Sequence, residues 1–245
     1  MISDIMTVTW KELKEFLLQR GSVRGTLTSL LLMVFVFGVL LPLQSGRAWV
    51  ELPISLVAWA WMPLFLVTGM IADSFAGERE RHTLETLLAS RLSDRAILLG
   101  KVVAGMSYSL MMTVVLLAVG LVTVNLSDWT GTVALYPLMT IIGFFIFGIL
   151  GSALVAGIGV LVSLRAATVR QAAQSLSMGI LFLVWIPILA MSFLPDTVKN
   201  RVMPVVLSLD GRVVAAIVLI GLALLDAVVL ALALYRFQRD RLILD

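Results

Sequence analysis

Residues 102–126 read Val-Val-Ala-Gly-Met-Ser-Tyr-Ser-Leu-Met-Met-Thr-Val-Val-Leu-Leu-Ala-Val-Gly-Leu-Val-Thr-Val-Asn-Leu, without one charged side chain. A helix crosses about 30 Å of hydrocarbon at about 1.5 Å per residue, so roughly 20 apolar residues suffice, and this stretch is long enough. Its apolar residues are contiguous instead of striped at a 3.6 period, as expected of a helix whose solvent is lipid. Outward from it, five more blocks of the same kind occupy 26–43, 52–72, 133–164, 175–194 and 213–235. The fourth is longer than one crossing requires: it tilts, breaks, or begins with a surface piece before Tyr136-Pro137. The expected fold is an all-α integral membrane protein, a single domain over 1–245 with six transmembrane helices.

Composition supports this. Of 245 residues, 60% are hydrophobic and 13% charged, with a mean hydropathy of +1.07; a soluble domain carries about twice that charge. There is no cysteine, which removes disulfides, thiolate metal sites and cysteine nucleophiles. The first apolar block is followed by Ser45-Gly46-Arg47 without a small-x-small cleavage pattern, so it is expected to be a retained helix.

Orientation follows from Lys and Arg. Lys11, Lys14, Arg20 and Arg24 precede the first block. Arg79, Arg81, Arg91, Arg95 and Lys101 lie between the second and third, Arg165 and Arg170 between the fourth and fifth, and Arg236, Arg239 and Arg241 after the sixth. The alternate loops hold only Arg47, then none, then Lys199, Arg201 and Arg212. This bias places both termini on the cytoplasmic side of the cytoplasmic (inner) membrane. Within 1–24, residues 4–19 read as an amphipathic interfacial helix. Asp4 is its candidate N-cap, and Met6, Trp10, Leu13 and Leu17 share a face turned toward the headgroups, opposite Lys11, Glu12, Lys14 and Glu15. Residues 195–212 contain Pro195, Pro204 and Asp210-Gly211 around a run too short to cross, and read as a short outer re-entrant element or a surface loop.

The one sizeable polar region is the cytoplasmic segment 73–101. Leu84, Leu87, Leu88 and Leu92 recur at helical spacing and give a short helix with one apolar ridge. Ser93 has the character of an N-cap, with Asp94 in the first turn of the helix that becomes the third span. The charges of Glu78-Arg79-Glu80-Arg81 alternate in sign. Mixed charge beside a leucine ridge suits a protein groove better than an anionic lipid surface.

These residues resemble a known pattern. Glu78-Arg79-Glu80, Thr83-Leu84-Glu85, Leu87-Leu88, Ser93 and Gly100-Lys101 closely resemble the first cytoplasmic loop of permease subunits of type-2 ATP-binding-cassette exporters. One departure is His82, where such permeases often have Gly. Arg170-Gln171-Ala172-Ala173-Gln174 resembles a weaker feature of the same family. The resemblance implies that the loop is a coupling helix docking into a separate cytoplasmic ATPase through Glu78, Glu80, Thr83, Leu84, Glu85, Leu87 and Leu88. Gly100 would then permit the tight junction into the third span, with Lys101 anchored at the headgroups. It also implies that a second permease copy, identical or different, completes the pore, and that the first and fifth spans meet that copy. No cofactor is expected in this chain, because ATP and magnesium would be bound by the ATPase. The sequence agrees: no Gly-x-x-x-x-Gly-Lys-[Ser/Thr] phosphate loop occurs. The lipid bilayer is the remaining partner, and nucleic acid is not expected.

Other constellations carry less. Asp226 lies mid-way along the sixth block and is the one acid inside a span. It is either a polar contact, cation or proton site in a translocation path, or a structural group paired with a neighbouring helix. Gly148/Ser152 and Ala153/Gly157 are small-x-x-x-small pairs that allow close helix approach, within the chain or between copies. Trp49, Trp59, Trp61, Tyr136 and Tyr235 fall near span ends, as interfacial aromatics do. The single histidine, His82, lies in a loop, and no metal set is present, so hydrolytic chemistry in the membrane has no residues to carry it. The expected function is therefore ATP-driven export through a permease that is not itself an enzyme. The alternative is a membrane scaffold or immunity protein that recruits a cytoplasmic partner through 78–92.

Overall fold

A computed structural model describes the chain over residues 1–18, 28, 30–52, 61–83, 86–87, 89–198 and 211–237. Among these residues all regular structure is helical. Helix α1 spans Ile2–Leu18. Helix α2, Leu30–Ser45, passes through a π-helical stretch at Val34–Leu40, and a short α3 follows at Ala48–Glu51. Helix α4 begins at Met62–Ala72 and continues through a π-helical stretch, Asp73–Gly77, into a last turn, Glu78–Glu80. Helices α5 (Asp94–Ser127), α6 (Leu138–Ser163), α7 (Val169–Phe193) and α8 (Gly211–Arg236) complete the fold. Three segments, Asp94–Ser127, Ile141–Ser163 and Val213–Arg236, are long and apolar enough to cross a membrane.

Local chemistry sets several boundaries. Ser93 Oγ accepts the Ala96 N–H at 3.3 Å and starts α5 where the sequence places a cap. Pro137 precedes α6, which is one unbroken helix; residues 133–137 are non-helical, with Ala134 buried and tied down by Asn125. That side chain donates to the Ala134 carbonyl at 3.0 Å and accepts the Ala134 N–H at 2.8 Å. Helix α4 continues past Ala72. Asp73 sits within a helix that runs on to Glu80, and it pairs with Arg81 at 3.2 Å instead of marking the helix end.

Helices α4, α5 and α6 pack on one another, with α1 and α2 against α5, α7 against α4 and α6, and α8 against α6. The core runs through Val67, Ile71 and Phe75 of α4, Ile97, Leu98 and Val102 of α5, Val155, Ala156 and Val160 of α6, and Phe237. Three glycines of α6 admit close neighbours from within this chain. A Cβ on Gly157 would lie 2.8 Å from Val229 of α8, one on Gly151 2.7 Å from Leu64 of α4, and one on Gly159 would overlap Ile71.

The helix ends separate into two sets. At one end, α1, the end of α4, the start of α5 and the α6–α7 turn meet, and Phe237, just past α8, packs edge-on against Phe75 with ring centroids 5.1 Å apart. At the other, Gly46 turns the chain at φ +55°, where an added Cβ would lie 3.1 Å from Asp128 Oδ2. Arg47 donates its backbone N–H to Asp128 Oδ2 at 3.3 Å and its guanidinium to Thr130 and Thr132. That contact ties the α2–α3 turn to the α5–α6 loop. Residues 19–27, 53–60, 199–210 and 238–245 lie outside the described residues, so most of the 195–212 re-entrant element does too.

Ile71 is fully buried and branched at Cβ, so it cannot swing clear of a larger residue opposite. Gly159→Leu is expected to destabilise the fold by about 1–3 kcal/mol through overpacking, read as a lower melting temperature in detergent micelles.

Candidate functional site

The charged residues of the 73–101 segment fold back onto the chain. Lys101, in the second turn of α5, is 1% exposed, and Glu78 and Glu12 are 4% and 7% exposed. These values matter because an ammonium removed from water loses several kcal/mol of hydration unless its surroundings replace it. Lys101 Nζ lies 2.8 Å from Glu12 Oε1, 2.9 Å from Glu78 Oε1 and 2.7 Å from the Ser74 carbonyl. It also stands 4.9 Å from the Phe75 ring centroid. The expectation of a headgroup anchor is corrected: Lys101 is the central cation of an interior cluster, because two carboxylates and a backbone carbonyl converge on it.

Glu12 comes from α1, which lies along α5. Gly100 makes that approach possible, since a Cβ there would sit 2.6 Å from Val8 Cβ and 3.1 Å from the Ile5 carbonyl. Thr9 donates to the Gly100 carbonyl at 3.1 Å, and Phe16 meets Tyr108 edge-on at 4.8 Å. The buried face of α1 is therefore Val8, Thr9, Glu12 and Phe16, while Met6 and Trp10 are exposed. The expected assignment of Glu12 to the water side is corrected, because Lys101 compensates its burial. Lys11 extends the cluster, with Nζ 3.3 Å from Glu78, 3.5 Å from Glu12 and 3.6 Å from Glu15. Burial works against its charge, but the carboxylates of Glu12, Glu78 and Glu15 outweigh it and hold the Lys11 pKa above the ordinary lysine value. This stabilisation is complete at neutral pH and is lost only as pH rises through the raised value.

The π-helical stretch supplies the carbonyl used by Lys101. A π turn breaks the i→i+4 ladder and leaves backbone groups in need of partners. Ser163 of α6 fills part of that need: its Oγ accepts the Ala76 N–H at 2.9 Å and donates to the Ala72 carbonyl at 3.1 Å.

Glu78-Arg79-Glu80 then reads as three separate attachments. Glu78 reaches Lys101 and Lys11. Arg79 donates to the carbonyls of Leu164 at 2.6 Å and Ala166 at 3.0 Å, at the C-terminal end of α6, where a cation suits the helix dipole. Glu80 Oε1 accepts the Val169 N–H at 2.9 Å, at the N-terminus of α7, where an anion suits it. That terminus is also capped by Thr168, whose Oγ1 accepts the Gln171 N–H at 3.1 Å, while Gln171 Oε1 accepts the Ala167 N–H at 3.0 Å.

After the triplet, α4 stops in a Schellman motif. Thr83 N–H bonds the Glu78 carbonyl at 2.8 Å, His82 N–H bonds the Arg79 carbonyl at 3.1 Å, and His82 takes φ +55°. This left-handed residue is the position at which glycine is favoured, so the sequence departure at His82 has a conformational meaning.

Of the sequence-expected docking residues, Glu78 is interior and Glu80 is occupied within the chain. Thr83 is exposed, and Leu87, with Leu92, packs partly against the Phe75–Phe237 core. Leu84, Glu85 and Leu88 lie outside the described residues, and with Leu84 and Leu88 goes half of the expected leucine ridge. Arg79, Glu12, Lys11 and Ser163 were not assigned a site role from the sequence, because the groups that meet at Lys101 are far from it along the chain. Asp226 lies in α8, away from this junction, and both its carboxylate oxygens are buried without a hydrogen-bond partner among the described residues.

The family description of the ABC-2 type transporter matches residues 3–189, from α1 through most of α7. The chain belongs to the ABC-2 type transporter family. Among curated proteins none matches the sequence. Membership makes the chain the membrane-spanning permease component of an ABC transporter, and in this family that component lacks an ATPase of its own and normally works with a cytoplasmic ATPase. The matched region contains the whole charged junction.

Lys101→Met leaves the two buried carboxylates with only the part-exposed Lys11 as counter-charge and is expected to cost about 2–4 kcal/mol. Adding Glu12→Gln and Glu78→Gln to that variant should restore most of the loss, measured by unfolding in micelles with tryptophan fluorescence. At the left-handed position, His82→Gly should be neutral to about 1 kcal/mol stabilising, and His82→Val should cost about 1–2 kcal/mol, on the same measurement.

Proposed function

We propose that this ABC-2 permease exports a substrate across the cytoplasmic membrane, driven by ATP hydrolysed on a separate ATPase that docks against the 73–101 segment. The end of the bundle that gathers α1, Glu78, Lys101 and the α6–α7 turn is the cytoplasmic end. The excess of Lys and Arg at that end supports this assignment. With α2 and α4 counted beside α5 to α8, the chain crosses six times, and a second permease copy completes the path.

The observation that carries the reading is the way the loop is rooted. A partner pushing on a solvated loop moves only the loop, whereas this loop is fixed to α1, α5, α6 and α7 by buried or charge-assisted bonds. Docking falls to the segment beyond the triplet, Thr83, Leu84, Glu85, Leu87 and Leu88, with Glu78 and Glu80 committed to its foundation. Gly100 and Lys101 hold α1 and the loop to the third span.

An affinity-tagged chain purified from cells that produce it should carry with it an ATPase bearing a Gly-x-x-x-x-Gly-Lys-[Ser/Thr] loop. Glu85→Arg should reduce that recovery at least about tenfold, the scale of a single charge reversal in an interface, with the melting temperature kept. Undiminished ATPase recovery with Glu85→Arg would show that docking lies elsewhere.

A further inference from the structure

The docking segment and α7 are far apart in sequence, yet two side chains join them. Arg79 holds the Leu164 and Ala166 carbonyls, and Glu80 holds the Val169 N–H, so the residues immediately before the exposed loop grip both sides of the α6–α7 turn. Both contacts place a charge at the helix end whose dipole it complements, and Arg79 is partly shielded from water. Beside them, Ser163 pins the last residue of α6 to the π-helical stretch of α4. The α6–α7 turn is thus held at Leu164, Ala166 and Val169 by adjacent residues of one rigid helix end.

We propose that Arg79 and Glu80 are positioning residues that hand movement of the 73–101 segment to α7, so that the fifth span shifts with the loop as one body. The force is that of the proposed function; the attachment itself depends only on the chain. Glu80 is exposed, which is compatible with docking, but its bond to the α7 N-terminus gives it a role that no ATPase is needed to explain. Arg79 has no exposed acidic partner to seek, because the carbonyls of Leu164 and Ala166 already occupy its guanidinium.

Because the chain has no cysteine, spin labels can be placed singly. Labels at Arg91→Cys, in the loop, and Arg170→Cys, in the first turn of α7, are both at exposed positions. Electron–electron distance measurements on the detergent-solubilised chain should give one narrow distribution. Arg79→Met with Glu80→Gln should broaden it, with slower changes in melting temperature than a core substitution produces. Glu80→Ala alone, at an exposed side chain, should broaden it to a lesser degree and serves if the double variant does not fold. In the complex with its ATPase, the distance in the parent chain should be the same with and without ATP under conditions that block hydrolysis. An unchanged distribution in both variants, or a distance in the parent chain that shifts with nucleotide, would overturn the inference. Absence of any co-purifying ATPase would instead defeat the proposed function and leave the nucleotide-free comparison to decide this one.

Discussion

An ammonium group withdrawn from water at the foot of several helices has to be compensated where it stands, and the arrangement around Lys101 follows from that requirement. Its three polar contacts come from two helices: Glu12 of α1, and Glu78 and the Ser74 carbonyl of α4. A buried ion pair adds little net stability relative to apolar packing, but losing one member is costly, so such a cluster fixes which elements meet more than how tightly they hold. Here it fixes α1 against α5 and sets the point from which the polar loop departs.

The triplet that follows Gly77 uses the same logic with helix dipoles. Each of its members satisfies a charge or an orphan backbone group on a different element: a lysine for Glu78, the last carbonyls of α6 for Arg79, the first amide of α7 for Glu80. Alternating charge in sequence therefore reflects alternating polarity of the partners, because consecutive residues at a helix end point to different neighbours. The Schellman motif at Glu78–Thr83 adds the turn that sends the chain outward from this foundation, with His82 absorbing the left-handed backbone.

Reading the sequence recovered the helices well where side-chain chemistry is local. The α5 start at Ser93-Asp94 and the three long apolar helices α5, α6 and α8 depend on neighbours in sequence. The amphipathic reading of α1 reached the right element but left Glu12 on its polar side, since Glu12 looks like a solvent residue until Lys101 is placed beside it. The same limit applied to Glu78 and Glu80, whose partners on other helices of the chain no local pattern announced. The glycines of α6 were legible as a close-packing surface, but whether α4, α8 or another copy filled it was not.

Taken alone, the sequence determined that the chain is helical, that it lives in lipid, which loops carry positive charge, and that the 78–101 motif resembles that of an ABC-2 permease. Those properties come from composition, from runs of apolar residues, and from spacing along one chain, all of which are short-range. The tertiary structure alone decided that Lys101 is interior, that Glu78, Arg79 and Glu80 each grip a different helix, and that Gly100 exists to admit α1. Most of these contacts bring residues 67 to 91 positions apart within hydrogen-bond distance, and no pattern along a single stretch encodes which distant group will compensate a buried charge.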